Sequence, residues 1–181
     1  MLELRFHGRG GQGAVTSTEL LAKAAIAQGN YAQSFPSFGP ERRGAPLSAF
    51  VRVDEAVIRV RDKVYTPDIV VVLDPTLLDV VNVAEGLKSG GLMVVNSSLP
   101  PEDLKQKYGW SRVAQVNADK IALEELGLVI TNTTMLGAVI KASGIVQVET
   151  MEAEIMERFG PKLGPKNHAA LKRAFNETAM V

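Results

Sequence analysis

There is no cysteine anywhere in the 181 residues. That absence removes structural disulfides, thiolate zinc sites, cysteine nucleophiles and thiolate-ligated iron–sulfur clusters, so any electron transfer must run through groups on another chain. An excess of either charge is missing as well. Lysine plus arginine and aspartate plus glutamate number 20 each, for a formal net charge of +0, and no overall field draws the chain toward nucleic acid or an anionic membrane surface. No apolar run approaches the roughly 20 residues of a membrane span. Met1 to Phe6 lacks the basic and then apolar order of a signal peptide, so no nucleic acid, no membrane and a cytoplasmic address are expected. A neutral balance also does little to keep a free chain in solution, which agrees with life inside a larger assembly.

What is present, 46% hydrophobic and 22% charged residues, suffices for one compact core, and a single domain over residues 1–181 is expected. Leu2 to Phe6 alternates like a strand, Gly8 to Gly13 is a glycine loop, and a helix is predicted from Ala14 to a glycine stop at Gly29-Asn30. Tyr31 to Ser34 reads as a strand, and 35–44, rich in proline and glycine, as a long loop. Leu47 to Val53 and Ala56 to Val60 alternate around Asp54-Glu55 and predict a hairpin. The β-branched run Ile69 to Leu73 predicts a central parallel strand, with Asp74-Pro75 opening a helix through about Leu87. Leu92–Val95 and Arg112–Val116 are further strands before small polar turns. Helices are expected after caps at Asn132 or Thr133, at Thr150 and at Asn167, with a loop at 160–165. Strands alternating with helices give an α/β fold: a three-layer α/β/α domain with a mixed, mostly parallel sheet and a Rossmann-like first βα unit.

Gly8-Arg9-Gly10-Gly11-Gln12-Gly13 satisfies G-x-G-x-x-G between a predicted strand and a predicted helix. Free amides and the positive end of the helix dipole there favour a phosphate or carboxylate. The dinucleotide form of the motif also needs an acidic residue about 20 positions on for the ribose. Here Tyr31 to Ser34 offers none before Glu41, and no Walker lysine follows the glycines, so NAD and ATP loops both fit poorly. Loop chemistry alone leaves two readings open: a tight turn for close packing, or a cradle for a phosphate-bearing ligand.

Further landmarks are Phe38-Gly39-Pro40-Glu41-Arg42-Arg43-Gly44-Ala45-Pro46, Pro67-Asp68 before the run ending at Asp74, Asn96-Ser97, Asn132-Thr133-Thr134-Met135-Leu136-Gly137 and Asn167. In order and spacing, over nearly the whole chain, these resemble the gamma subunit, or equivalent fused domain, of 2-oxoacid:ferredoxin oxidoreductases. The resemblance implies a non-catalytic subunit of a complex that oxidatively decarboxylates a 2-oxoacid to an acyl-CoA and passes electrons to ferredoxin, with no activity expected of the chain alone. It implies alpha, beta and delta-type partner subunits carrying thiamine diphosphate and the iron–sulfur clusters, and a share in binding coenzyme A here. Gly8, Gly10, Gly11, Gln12 and Gly13 would then meet the coenzyme, with Arg42 and Arg43 as phosphate forks and Asn132 as a weaker candidate. The two arginines serve equally as solvated residues or as partners for another subunit's carboxylates, and Asn96 and Asn132 as helix caps. No catalytic residue and no metal ligand is expected: His7 and His168 lack neighbours at ligand spacing, and Ser97-Ser98 reads as a turn. The wording around Pro40 to Arg52 resembles the pyruvate and branched-chain branch more than the 2-oxoglutarate branch. A free-standing nucleotide- or coenzyme-binding protein is the alternative, and a simple dehydrogenase lacks both the ribose carboxylate and a hydride-transfer acid.

Overall fold

The computed structural model describes residues 1–37 and 43–181. Its strands are β1 (Leu2–Arg9), β2 (Tyr31–Ser37), β3 (Pro46–Asp54), β4 (Ile69–Val72), β5 (Leu92–Asn96), β6 (Arg112–Val116) and β7 (Ala179–Met180), joined in one sheet of order β2-β3-β1-β4-β5-β6-β7. The four central strands β1, β4, β5 and β6 run parallel, while β2 and β3 at one side and β7 at the other pair antiparallel. The helices are α1 (Ala14–Ala27), α2 (Pro101–Tyr108), α3 (Ala118–Leu126), α4 (Asn132–Ser143) and α5 (Val148–Glu177).

Period-two alternation sorts the side chains. Leu4 and Phe6 of β1, Val51 of β3, Val71 of β4 and Val94 of β5 point to one face, where α1, α3, α4 and α5 bury them in the larger core. Val70, Val72, Met93, Val95 and Val113 point to the other, under Leu104 of α2 and Leu77 and Val83 of the β4–β5 connection. Strand β4 is thus buried on both sides, as its unbroken β-branched run predicts. On the second face of β1 and β3 lie Glu3, Arg5, His7, Ser48, Phe50 and Arg52, met by the irregular segments 56–66 and 81–85 rather than by a helix.

Several expectations are corrected. The loop expected over 35–44 is strand β2 as far as Ser37, where Phe35 and Ser37 pair with Phe50 and Ser48 of β3. Ala56–Val60 is not a strand; both edges of β3 are already taken, by β1 and β2, so no edge remains for it to join. The helix expected through Leu87 is one 3-10 turn, Pro75–Asp79, capped by the Asp74 carboxylate at 2.9 Å from the Thr76 amide. Val80, Val81, Asn82 and Val83 follow and are poor helix formers. The loop expected at 160–165 is helical except at Gly160 (φ 67°, ψ −175°), where α5 bends and Pro161 restarts it. Asn167 is therefore not a cap. It is buried between two helices, where Thr133 Oγ1 donates to its Oδ1 at 2.7 Å. Thr150 does not cap α5 either; that position belongs to Gln147. Strand β7 escapes the sequence pattern because it is only two residues long.

Candidate functional site

Helix α1 leads from β1 to one side of the sheet while β4 lies on the other side of β1, so the strand order changes direction between β1 and β4. In open α/β sheets the crevice at the carboxyl ends of two such strands is where ligands bind. The glycine loop closes one wall of it, and Asp74, just after β4, forms the other. The expected strand, glycine loop and helix are found: β1 ends at Arg9 and Gly13 is the N-cap of α1.

Gly13 has φ 81°, and a Cβ there would lie 2.5 Å from Asn132 Nδ2. Asn132 is the first residue of α4, so the amino ends of α1 and α4 meet at this point. Neither helix receives a side-chain hydrogen bond from its N-cap residue, and neither carries an acidic residue in its first turn. Two positive dipole ends therefore face one place with no carboxylate in either first turn. Asn132 Oδ1 accepts the Thr133 amide at 2.9 Å and the Asn132 carbonyl accepts Ser17 Oγ at 3.2 Å. Its Nδ2 makes no hydrogen bond among the described residues although the residue is only 6% exposed. Thr131, not Asn132, is the N-cap position of α4.

The second glycine segment docks on the first. The Gly10 amide donates to the Ala45 carbonyl at 3.0 Å and the Gly44 amide to the Gly10 carbonyl at 3.1 Å. Arg43 is exposed, and its side chain lies 3.9 Å from where a Gly11 Cβ would stand, so one predicted guanidinium is brought beside the loop. Arg42 lies outside the described residues. Gln12 turns inward: its Oε1 accepts the Arg9 amide at 2.6 Å and its Nε2 donates to Asp74 Oδ2 at 2.7 Å. Its side chain thus braces the loop from within.

Two residues escaped the sequence patterns. The Arg9 guanidinium reaches Asp74 Oδ2 at 3.1 Å, Thr76 Oγ1 at 2.9 Å and the Gly44 carbonyl at 3.2 Å. Burial alone pushes the Asp74 carboxyl up, but hydrogen bonds from Thr76 and Gln12 and the nearby Arg9 charge hold it below the usual carboxylate range. The only local signal was Asp74 at the end of a buried parallel strand, because its partners lie 62 and 65 positions away.

The other candidates fall into structural roles. Asn96 receives the Ala118 amide of α3 at 2.9 Å on Oδ1 and donates to the Leu73 carbonyl at 2.8 Å, so it caps a helix from a neighbouring strand end. Ser97 Oγ accepts the Leu99 amide at 3.0 Å in a tight turn. His7 Nε2 accepts from Arg5 Nε at 3.0 Å, which leaves the ring proton on Nδ1, facing Ser48 Oγ at 3.4 Å. Burial and the Arg5 charge lower its pKa to about 4, so the ring is neutral. A cleft of about 340 Å³ lined by Asp68, Lys88 and Arg112 sits at the amino ends of β4, β5 and β6, away from the βα loops. Among the described residues no group of three or more histidines, cysteines or carboxylates is arranged to hold a metal ion, and no helix is long and apolar enough to cross a membrane.

The sequence model of the family described as pyruvate ferredoxin/flavodoxin oxidoreductase matches residues 3–177. The pyruvate/ketoisovalerate oxidoreductases common subunit gamma of Thermococcus litoralis is 53% identical, over 99% of this chain and 98% of its own. The pyruvate synthase subunit PorC of Methanocaldococcus jannaschii is 49% identical over 98% and 97%. The crystal structure of pyruvate oxidoreductase subunit PORC from Thermotoga maritima superposes with a TM-score of 0.87 at 40% identity, over 99% of this chain and 97% of that one.

Proposed function

This chain belongs to the pyruvate ferredoxin/flavodoxin oxidoreductase family, and on that premise we propose that it serves as the gamma subunit of a pyruvate- or branched-chain 2-oxoacid:ferredoxin oxidoreductase and lends the complex its anion cradle for coenzyme A. The complex converts the 2-oxoacid and coenzyme A to acyl-CoA and carbon dioxide and passes the electrons to ferredoxin. With no cysteine in the chain, the iron–sulfur clusters reside on alpha, beta or delta-type partner subunits, together with thiamine diphosphate.

The observation that carries the coenzyme reading is the meeting of two amino-terminal helix ends at Gly13 and Asn132, with no acidic residue in either first turn. Coenzyme A brings a diphosphate and a 3′-phosphate, and a phosphate gains from oriented backbone amides, two helix dipoles, the Asn132 Nδ2, which has no hydrogen-bond partner among the described residues, and the Arg43 guanidinium alongside. Gly11 carries no side chain, which lets a phosphate come close to the loop's amides, while the space beside Gly13 is held by Asn132. Relatives near 50% identity are named for pyruvate and ketoisovalerate, which supports that substrate branch over 2-oxoglutarate.

The test is a native pull-down of the tagged chain, assayed for 2-oxoacid-dependent and coenzyme A-dependent reduction of ferredoxin or a viologen dye. Activity arriving with cysteine-rich, thiamine-binding chains is the expected result, and varying the acid then names the substrate. A chain recovered alone, binding a nucleotide and devoid of such activity, would instead identify a free-standing coenzyme-binding protein.

A further inference from the structure

Among the described residues that face the crevice between β1 and β4, one carboxylate stands out. Asp74 Oδ2 lies 2.7 Å from Gln12 Nε2, within the same small network that shapes the glycine loop. A carboxylate next to a cradle meant for phosphate opposes the ligand, and in a partly buried site the repulsion is screened less than on an open surface. Asp74 is nonetheless built in. It caps the 3-10 turn through Thr76 and anchors Gln12, whose other end holds the Arg9 amide. The loop geometry needs the acid, and the ligand does not tolerate its charge.

We infer that Arg9 is a positioning residue for coenzyme A binding: its guanidinium neutralises Asp74, which lets the glycine loop keep the acid its geometry needs without repelling the coenzyme's phosphates. The contacts divide the work. Nε faces Asp74 Oδ2 at 3.1 Å, Nη2 faces Thr76 Oγ1 at 2.9 Å, and Nη1 faces the Gly44 carbonyl at 3.2 Å. One side chain therefore ties together the turn after β1, the turn after β4 and the segment before β3. Three of its five N–H donors are taken by these partners, and Arg9 acts on the site through Asp74. The motif's variable position, G-x-G, is here the residue that sets the charge of the site.

This inference rests on the coenzyme reading of the glycine loop, and the experiment separates the two. In the assembled complex, hydrogen exchange of residues 8–17 is followed with and without coenzyme A, and the dissociation constant is measured by calorimetry alongside KM and kcat. Protection of 8–17 in the wild type supports the coenzyme reading, and its absence removes that reading together with this inference. Given protection, Arg9→Gln is expected to weaken coenzyme A binding and raise its KM about tenfold with kcat at saturation unchanged. Arg9→Lys, which keeps the charge, should stay within about threefold, and adding Asp74→Asn to Arg9→Gln should recover most of the loss. A merely structural brace gives another pattern: Lys fails as badly as Gln, and the double variant binds no better than Arg9→Gln. That pattern, or an unchanged dissociation constant in Arg9→Gln, would overturn the inference while leaving the coenzyme reading in place.

Discussion

Gly13 shows how much rests on one missing side chain. Its φ of 81° is a left-handed conformation that disfavours any Cβ, and the space a Cβ would fill is already held by Asn132 at 2.5 Å. Gly13→Ala is therefore expected to cost about 2 kcal/mol of unfolding free energy and to push the ends of α1 and α4 apart. A urea titration reads the stability, and the same variant in the complex should raise the KM for coenzyme A. An alanine variant with wild-type stability and KM would mean that the two helix ends do not depend on this contact. The loop itself was legible because its pattern is local: six residues between a strand and a helix. Asn132 was visible only as the start of a helix, and its meeting with Gly13 lies 119 positions away in the chain. The pairing of Arg9 with Asp74 was invisible for the same reason. The Gln12 carboxamide, named with the glycines for the coenzyme, makes the turn's own hydrogen bonds.

At the scale of elements, the joint between α4 and α5 sets the position of the α4 amino end. A Cβ on Gly137 would come within 2.1 Å of the Leu171 carbonyl and 2.9 Å of the Phe175 amide, so the two helices touch backbone to backbone there. Thr133 and Asn167 pin the same pair one turn away with a buried 2.7 Å hydrogen bond. Gly137→Ala must spread the helices and should lose about 2–3 kcal/mol by denaturant midpoint. Gly144→Ala, at a helix end with open space around it, should lose only about 1 kcal/mol from backbone strain. Equal losses at the two sites would remove close packing as the cause. Most parallel strands and α1 were readable from β-branched runs and glycine stops. What failed were elements whose fate is decided elsewhere. Ala56–Val60 has strand periodicity, but the edge it would need was taken by β2. The Gly160-Pro161 pair has the composition of a loop yet makes a single bend, because Gly164 packs so close to Met156 that a Cβ would sit 2.8 Å from its sulfur.

Over the whole molecule the two faces of the sheet are unequal. One is a thick apolar layer under four helices; the other, across β1 and β3, is a polar layer in which Arg52 pairs with Glu3 at 2.8 Å and Arg5 holds His7 at 3.0 Å. Stability therefore depends on pH through His7. The groups around its ring are Arg5 and Ser48 in direct contact, with Lys63 and Glu85 lining the adjoining cleft. Protonation would bury a second cation against the Arg5 guanidinium, and the folded-state pKa is accordingly lowered to about 4 from 6.5. In the unfolded chain His7 binds its proton near pH 6.5, so between about 6.5 and 4 the unfolded state holds more protons. Stability from this group is then fully present above pH 6.5 and drains away as the pH falls toward 4, by roughly 3 kcal/mol in all. His7→Gln keeps an acceptor for Arg5 and removes the titration. The difference in unfolding free energy between wild type and His7→Gln, measured by urea at pH 7.5 and at pH 4.5, should shift against the wild type at the lower pH by about 2–3 kcal/mol. A difference that stays constant across the two pH values would show that the ring charges without penalty. The polar face would then be open to water rather than sealed by segment 56–66.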